Sequence, residues 1–97
     1  MRHRLKVPDE IADFLRSLHP EIKRKTKAAL DLIASEPGVG KSLRDELRGL
    51  KSLKIGRIRI IYKVASKGVV EIVAIGPRKT IYEETYRLLK KSPSVGS

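Results

Sequence analysis

The chain has 97 residues, no cysteine and a formal net charge of +11, and 40% of its residues are hydrophobic. This length and composition predict one domain with one small core, and the absence of cysteine excludes disulfides, zinc ribbons and thiol catalysis. Two histidines argue against a histidine-rich metal site, and the lack of an apolar run of roughly 18 residues or of a signal-peptide core argues against membrane contact. We therefore expect a basic cytoplasmic domain without a metal or cofactor.

The first half of the chain predicts a short strand and two helices. Residues 2–7 alternate basic and apolar side chains and end at a proline, which is typical of a short strand. His19 and Pro20 separate two stretches of helical periodicity, because the residue before a proline avoids the α region and proline suits a first helical turn. We expect an α-hairpin in which His19 has a structural role. Its apolar positions that we expect to be buried are Ile11, Phe14, Leu15, Leu18, Ile22, Leu30 and Ile33.

The second half predicts three strands and a last helix. The periodicity changes to two from residue 53, and Gly56 and Gly68 mark turns on either side of the second of these strands. Residues 69–75 are almost wholly apolar, as in a central strand, and Thr80 and Glu83 form a capping box that opens the helix. On the second strand, one face is expected to be buried and holds Ile58, Ile60 and Tyr62, and the other holds Arg57, Arg59, Ile61 and Lys63.

These elements define an α+β fold with the order β-α-α-β-β-β-α. We predict one domain over residues 1–91, in which a small, twisted, mainly antiparallel sheet packs one face on the α-hairpin, and a disordered tail over residues 92–97. The glycine-rich segment 38–42 ends like a phosphate-binding loop. However, the first glycine of that motif is replaced by Ser35, and the segment follows a helix rather than a strand, so nucleotide hydrolysis is not expected.

The positive charge is concentrated in the second half of the chain. Residues 1–47 carry ten basic and eight acidic side chains, whereas residues 48–97 carry twelve basic and three acidic ones, a net charge of +9. Such a density of positive charge destabilises the folded chain through self-repulsion. It is typical of proteins that bind a phosphate backbone or an acidic protein. A basic surface that serves only solubility is the alternative.

Three segments of the second half resemble a known toxin superfamily. They are Leu47-Arg48-Gly49-Leu50; residues 53–62, with Gly56, Arg57, Arg59 and Tyr62; and residues 75–82, with Gly76, Arg78 and Tyr82. These motifs and the predicted element order are similar to those of the RelE/ParE toxins, and the resemblance covers residues 2–90. It implies a RelE-like fold. It does not decide the activity, because the superfamily contains ribosome-dependent mRNA endonucleases and DNA gyrase poisons on one scaffold.

Cleavage of RNA by its own 2′-hydroxyl requires a proton acceptor, a cation for the crowded phosphate and a proton donor for the leaving 5′-oxygen. The basic half of the chain offers lysine and arginine for these tasks, and no cluster of histidines or carboxylates. A lysine crowded by other cations holds its proton less tightly and becomes a better base. The residues that supply such crowding near Gly56 are Lys54, Arg57, Arg59 and Lys63.

The resemblance to the mRNA-cleaving toxins implies a role for each of four residues. Lys54 would accept the proton and Arg59 would stabilise the scissile phosphate. Arg78 would act at the leaving group, and Tyr82 would stack on or orient the nucleotide. Position 77, where these toxins often have histidine, is Pro77. The alternatives to Lys54 as the base are Lys51 and Arg57, and the further cations expected to contact RNA are Lys51, Arg57, Lys63 and Lys79.

Three functions remain open at this point. The first is a ribosome-dependent endoribonuclease that inhibits translation by cutting mRNA. The second is a ParE-like toxin that inhibits DNA gyrase without catalysis, and the third is a basic RNA-binding module, for which the chain has few aromatic residues. Convergence of the four implied residues in one concave patch would favour the first, whereas pairing of Arg59 with Glu71 would make that arginine structural. Both toxin hypotheses imply an antitoxin partner and contact with DNA only through the antitoxin complex, and the first adds the ribosome and mRNA.

Overall fold

The structure is a computed structural model, and it describes residues 3–65, 68–77, 81, 85–87 and 89. Its α-helices are α1 (Asp9–Arg16) and α2 (Pro20–Ser35), and residues 81, 85–87 and 89 are α-helical as well. Two short 3₁₀ helices, Pro37–Val39 and Asp45–Leu47, follow α2. Its strands are β1 (Arg4–Lys6), β2 (Lys41–Ser42), β3 (Lys51–Ile55), β4 (Ile58–Val64) and β5 (Val69–Pro77). The fold is α+β, as the sequence predicts. The predicted tail, residues 92–97, lies outside the described residues.

The five strands form one sheet in the order β1-β5-β4-β3-β2. β1 pairs with β5 in parallel, and the other three pairs are antiparallel, so the mainly antiparallel sheet is confirmed. β2 is a strand that the sequence pattern does not predict. It has two residues, too few for a period to be seen, and it exists because Lys41 and Ser42 pair with β3.

The α-hairpin packs on one face of the sheet. The buried side chains of this first core are Leu30, Ile33, Ile60, Tyr62, Val70, Ile72 and Ile75, which come from α2, β4 and β5. Pro20 opens α2, as its fixed φ favours. His19 caps the same helix, because its Nδ1 accepts a hydrogen bond from the backbone N–H of Glu21 at 3.3 Å. The structural role predicted for His19 is confirmed.

The hairpin is more exposed than its apolar stripe predicts. Ile22 is 42% exposed, so its predicted burial is wrong. The physical reason is that the buried side of α2 begins one turn later, at Thr26, and the first turn of α2 extends beyond the core. α1 contributes side chains that pack against the core without being fully enclosed. The residues that are half-buried rather than buried are Ile11, Phe14, Leu15, Leu18 and Ile58.

The other face of the sheet holds a second apolar cluster that the sequence pattern does not predict. Its buried members are Leu50, Ile61, Ala74 and Ile81. Ile61 lies on the predicted face of β4, with Arg59 and Lys63 on either side, but it is fully enclosed. A bulge in the β4–β5 pairing beside Ile61 turns both Val73 and Ala74 toward this cluster. The second cluster therefore separates the charged side chains of this face into two groups, one at each end of the face.

Tyr62 joins the first core to the loop that follows α2. It is fully buried, as predicted, and its hydroxyl donates to the carbonyl oxygen of Pro37 at 2.7 Å and accepts from the N–H of Gly40 at 2.8 Å. Burial raises the pKa of Tyr62, and the Gly40 hydrogen bond opposes that rise. A Cβ on Gly40 would lie 2.5 Å from the hydroxyl oxygen. Gly40, in the segment that ends like a phosphate-binding loop, therefore allows this loop to pack closely against Tyr62.

Candidate functional site

The β3–β4 hairpin places Lys54 and Arg59 directly opposite each other. The two-residue loop begins at Gly56, whose φ of 58° suits the first central position of a type II′ turn. Side chains directly opposite each other on paired strands have Cβ atoms about 4.5–5.5 Å apart. Their neighbours Leu53 and Ile60 pack toward the α-hairpin, so both cations lie on the opposite face of the sheet. We call Lys54 and Arg59 the cation pair.

Arg59 is hydrogen-bonded to a buried serine on the neighbouring strand. Its Nη1 donates a hydrogen bond to Oγ of Ser52 at 3.2 Å, and Ser52 is only 2% exposed. Ser52 precedes Lys54 by two positions on β3, so the period of a strand places both on the face that carries Arg59. Arg59 is half-buried and Lys54 is exposed. The guanidinium is therefore oriented by the sheet, whereas the lysine amine is open to solvent.

The two members of the cation pair place like charges at directly opposite positions of the hairpin. Like charges directly opposite each other destabilise a sheet, and opposite charges or a β-branched pair would stabilise it. An anion bound between the two side chains would remove this repulsion, and charge-assisted hydrogen bonds to a phosphate are about twice as strong as neutral ones. The arrangement is suited to binding a phosphate group, with the Lys54 amine beside it.

Lys63 lies on the same face but at the other end of it. Lys6, Glu71 and Lys63 stand in register on β1, β5 and β4, and Nζ of Lys6 lies 3.7 Å from Oε2 of Glu71. One carboxylate therefore lies between two lysines in this row. The register places Gly76, not Glu71, opposite Arg59, and Glu71 lies about 15 Å further along the strand. The alternative in which Arg59 pairs with Glu71 is wrong.

Two other sequence-predicted residues, Lys51 and Arg57, do not join the cation pair. Lys51 is opposite Tyr62 and so lies on the α-hairpin face, where its Nζ donates to Oγ of Ser42 at 3.0 Å. Arg57 is exposed in the hairpin loop. The remaining predicted site residues, which lie outside the described residues, are Arg78, Lys79 and Tyr82.

Ser52 is a site residue that the sequence pattern does not identify. Its position two residues before Lys54 was an available signal, because it places a hydroxyl on the face of the cations. Its burial was not predictable, since it depends on the second apolar cluster beside it, which includes Ile61, the residue directly opposite Ser52.

The described residues present an amine, a guanidinium and a hydroxyl at this site. Within the same part of the chain, no group of three His, Asp or Glu side chains is placed to hold a metal ion. None of the helices described has the length and apolar character that crossing a membrane requires.

One family model matches most of the chain. The family described as "ParE toxin of type II toxin-antitoxin system, parDE" matches residues 4–82. Among curated proteins, none matches the sequence significantly.

The solved structures that are similar to this chain are RelE toxins, free or in complex with an antitoxin. A chain of the toxin–antitoxin complex RelBE2 from Mycobacterium tuberculosis is 26% identical, with a TM-score of 0.67, and the match covers 80% of this chain and 100% of that chain. A chain of the archaeal RelE–RelB complex from Pyrococcus horikoshii is 26% identical, with a TM-score of 0.64 and coverage of 80% and 97%. A mutant of the E. coli toxin RelE in the free state is 21% identical, with a TM-score of 0.74 and coverage of 95% and 99%.

The fold defines the class of this protein. A five-stranded, mainly antiparallel sheet with an α-hairpin on one face is shared with RelE toxins, and the chain is a member of the RelE/ParE toxin superfamily. Within that superfamily, the chain belongs to the ParE toxin family of type II toxin–antitoxin systems, because the family match spans most of its length. The resemblance drawn from the motifs of the second half is confirmed.

Proposed function

We propose that this toxin inhibits translation as an endoribonuclease that cuts ribosome-bound mRNA over the cation pair. The observation that carries the proposal is the direct opposition of Lys54 and Arg59, with Arg59 oriented by the buried Ser52. A family match does not choose between activities on this scaffold. The proposal therefore depends on the chemistry of the pair.

The reaction is attack of a 2′-hydroxyl oxygen on the neighbouring phosphorus. The new P–O bond closes a 2′,3′-cyclic phosphate, the bond to the 5′-oxygen breaks, one proton leaves the 2′-hydroxyl and one proton reaches the 5′-oxygen. Arg59 is suited to the developing phosphate charge, because a preorganised donor needs no reorganisation during the reaction. Lys54, exposed and directly opposite Arg59, would take the proton of the 2′-hydroxyl.

Lys54 is a better candidate for the base than its two alternatives. Lys51 lies on the α-hairpin face with its amine bonded to Ser42. Arg57 is in the hairpin loop, and an arginine keeps its proton at any ordinary pH. By resemblance, Arg78 completes the site at the leaving group and Tyr82 at the nucleotide, with Lys79 as a further contact to RNA.

The toxin proposal includes an antitoxin partner. Two of the similar structures are complexes of a RelE-type toxin with its antitoxin. The net charge of +9 over residues 48–97 supports an acidic segment that covers the basic surface and folds as it binds. Contact with DNA is then a property of the toxin–antitoxin complex.

Inhibition of DNA gyrase is the second candidate. The observation that favours it is the family match itself, which is to the ParE toxins. This function requires a binding surface and no proton transfer, so the Lys54 amine would be dispensable. Membership of a toxin family favours both candidates over a general RNA-binding module.

The experiment is a pair of assays on the purified chain. In a reconstituted translation reaction, primer extension on the message reports cuts within ribosome-bound codons, and a supercoiling assay reports gyrase activity. We expect cuts that require ribosomes, and supercoiling at its normal rate. Intact message together with loss of supercoiling would overturn the proposal in favour of the gyrase candidate.

A further inference from the structure

Strand β2 carries a lysine on the face of the sheet that holds the cation pair. Lys41 is directly opposite Ser52 on β3, and side chains at directly opposite positions lie on the same face. Two residues later, Leu43 packs against the second apolar cluster, which lies on this face as well. The other residue of β2 has the opposite direction, because Ser42 Oγ accepts a hydrogen bond from Nζ of Lys51 on the α-hairpin face. Packing and hydrogen bonding therefore agree on the face of Lys41.

The guanidinium of Arg59 lies beside the positions of both Lys41 and Lys54. Its Nη1 is bonded to Oγ of Ser52 at 3.2 Å, so the charged end of this arginine reaches from β4 across to β3. On the same face, Ser52 has Lys54 about 6.6 Å along its own strand. It has Lys41 opposite on β2, with Cβ atoms about 4.5–5.5 Å apart. Three cations are therefore grouped around one buried hydroxyl.

The loop that leads into β2 is fixed by Tyr62. The tyrosine hydroxyl bonds the Pro37 carbonyl and the N–H of Gly40, the residue immediately before Lys41. The Lys41 side chain itself is exposed. A lysine amine is a compact charge with three donors on a flexible stem. An anchored backbone and an exposed amine suit Lys41 to bind a phosphate close to Arg59 without being buried there.

We propose that Lys41 is a third cation of the site, which binds the phosphate next to the scissile phosphate of the mRNA. The inference rests on the proposed function, because it takes a message at the cation pair as the ligand. Lys41 lies on the edge strand, about 4.8 Å beyond β3, where the next linkage of a strand crossing the sheet would lie. A residue that binds a phosphate which does not react stabilises bound message and transition state equally, so it affects binding and not the chemical step.

The test is a double-mutant cycle between Lys41 and the charge of one phosphate. Primer extension on the message cut by the parent protein first maps the cleavage position. Labelled toxin is then titrated onto ribosomes carrying a synthetic message with 2′-deoxyribose at that position, which prevents cutting. Two further messages have an uncharged methylphosphonate linkage on the 5′ or the 3′ side of it. We expect Lys41→Ala to weaken binding of the fully charged message by about two- to fivefold, the range of an exposed ion pair, and to have no effect on one methylphosphonate message.

Two further variants and a rate measurement make the assignment specific. Lys41→Arg keeps the charge and should bind like the parent protein. Lys25→Ala removes the same charge from an exposed position of α2, which packs on the opposite face of the sheet, and should bind all three messages normally. With a ribose message at saturating toxin, Lys41→Ala should cut at the rate of the parent protein. Circular dichroism checks that each variant is folded.

Several results would overturn the inference. Equal weakening of all three messages by Lys41→Ala would mean a general charge effect. Unchanged binding of all three would leave Lys41 as a charge that keeps the edge strand from pairing with another chain. A lower cutting rate at saturation would place Lys41 in the chemical step instead. Each of these results refutes the role of Lys41 alone, whereas a parent protein that cuts no message refutes the proposed function and this inference together.

Discussion

At the scale of single residues, the clearest constraint on this fold is the hydroxyl of Tyr62. It satisfies two backbone groups of the loop after α2, the Pro37 carbonyl and the Gly40 N–H. The period-two pattern of β4 predicts that Tyr62 is buried, but it cannot predict these partners. They come from a loop more than twenty positions earlier in the chain, and only the packed structure brings them to the ring.

Tyr62→Phe should therefore lower the free energy of unfolding by about 1–3 kcal/mol, because it leaves buried backbone groups without a partner. The loss should also depend on pH. Burial raises the pKa of Tyr62 above its ordinary value of 10.0, so above that pH the unfolded chain releases a proton that the folded chain retains. The parent protein should lose stability as the pH rises above 10.0, and the variant should lack this part of the decline. Urea unfolding of the parent protein and of Tyr62→Phe, at pH 7 and above pH 10, measures the loss of stability and its pH dependence. If stability declines with pH equally in the two proteins, titration of Tyr62 does not contribute to the decline.

Gly40→Ala should destabilise the fold by about 1–3 kcal/mol, since its Cβ would clash with the Tyr62 hydroxyl 2.5 Å away. In the double variant Gly40→Ala/Tyr62→Phe, the nearest clashing atom is gone. The double variant should therefore lose less stability than the sum of the losses of the two single variants. Gly38→Ala is the control, because a Cβ at that position has no atom within 4 Å. Thermal unfolding gives the values, and strict additivity would show that the close contact is not responsible.

At the scale of elements, the turn and the strand faces of the β3–β4 hairpin are predictable from the sequence, whereas the burial of its side chains depends on packing. Gly56 and the alternation of β4 predict the turn and the faces, and both are observed. The same alternation cannot show that Ile61 is enclosed, because that depends on Leu50 and Ile81 from distant segments. By contrast, the strand period alone places Lys51 and Lys54, three positions apart on β3, on opposite faces of the sheet.

Lys54→Thr should stabilise the protein by about 0.2–1 kcal/mol, because it removes a like charge opposite Arg59 and adds a β-branched residue. Lys63→Thr is the matched control, with the same change on the same face. Lys63 stands opposite Glu71, so its replacement should lose a favourable pair and lower stability. Chemical unfolding compares the two variants. If both shift stability in the same direction, repulsion within the cation pair is not a property of this fold.

At the scale of the whole molecule, the charge asymmetry favours binding to a polyanion. The twelve cations and three anions after residue 47 should make binding to ribosomes fall steeply with salt, with a slope of about 0.7–0.9 in the log–log plot for each phosphate contacted. Co-sedimentation with ribosomes over a salt series measures this slope. A slope near zero would show that the charge serves something other than phosphate contact.

In the proposed function, the cation pair performs chemistry as well as binding. Only groups that interact more strongly with the transition state than with the bound substrate change the chemical step. Arg59 should therefore affect the rate of cleavage, whereas Arg48, an exposed arginine in the connection before β3, should not and serves as the control. Arg59→Lys is included because it keeps a charge at the position where Arg59 contacts Ser52.

The most direct measurement is the single-turnover rate at which saturating toxin cuts a ribosome-bound message. Arg59→Ala should lower this rate by about 10²–10³, with ribosome binding reduced far less, because one preorganised donor to the developing charge is lost. Arg59→Lys should recover part of the rate, and Arg48→Ala should cut at the rate of the parent protein. If the parent protein cuts and Arg59→Ala cuts at the same rate, the assignment of catalysis to this pair is contradicted.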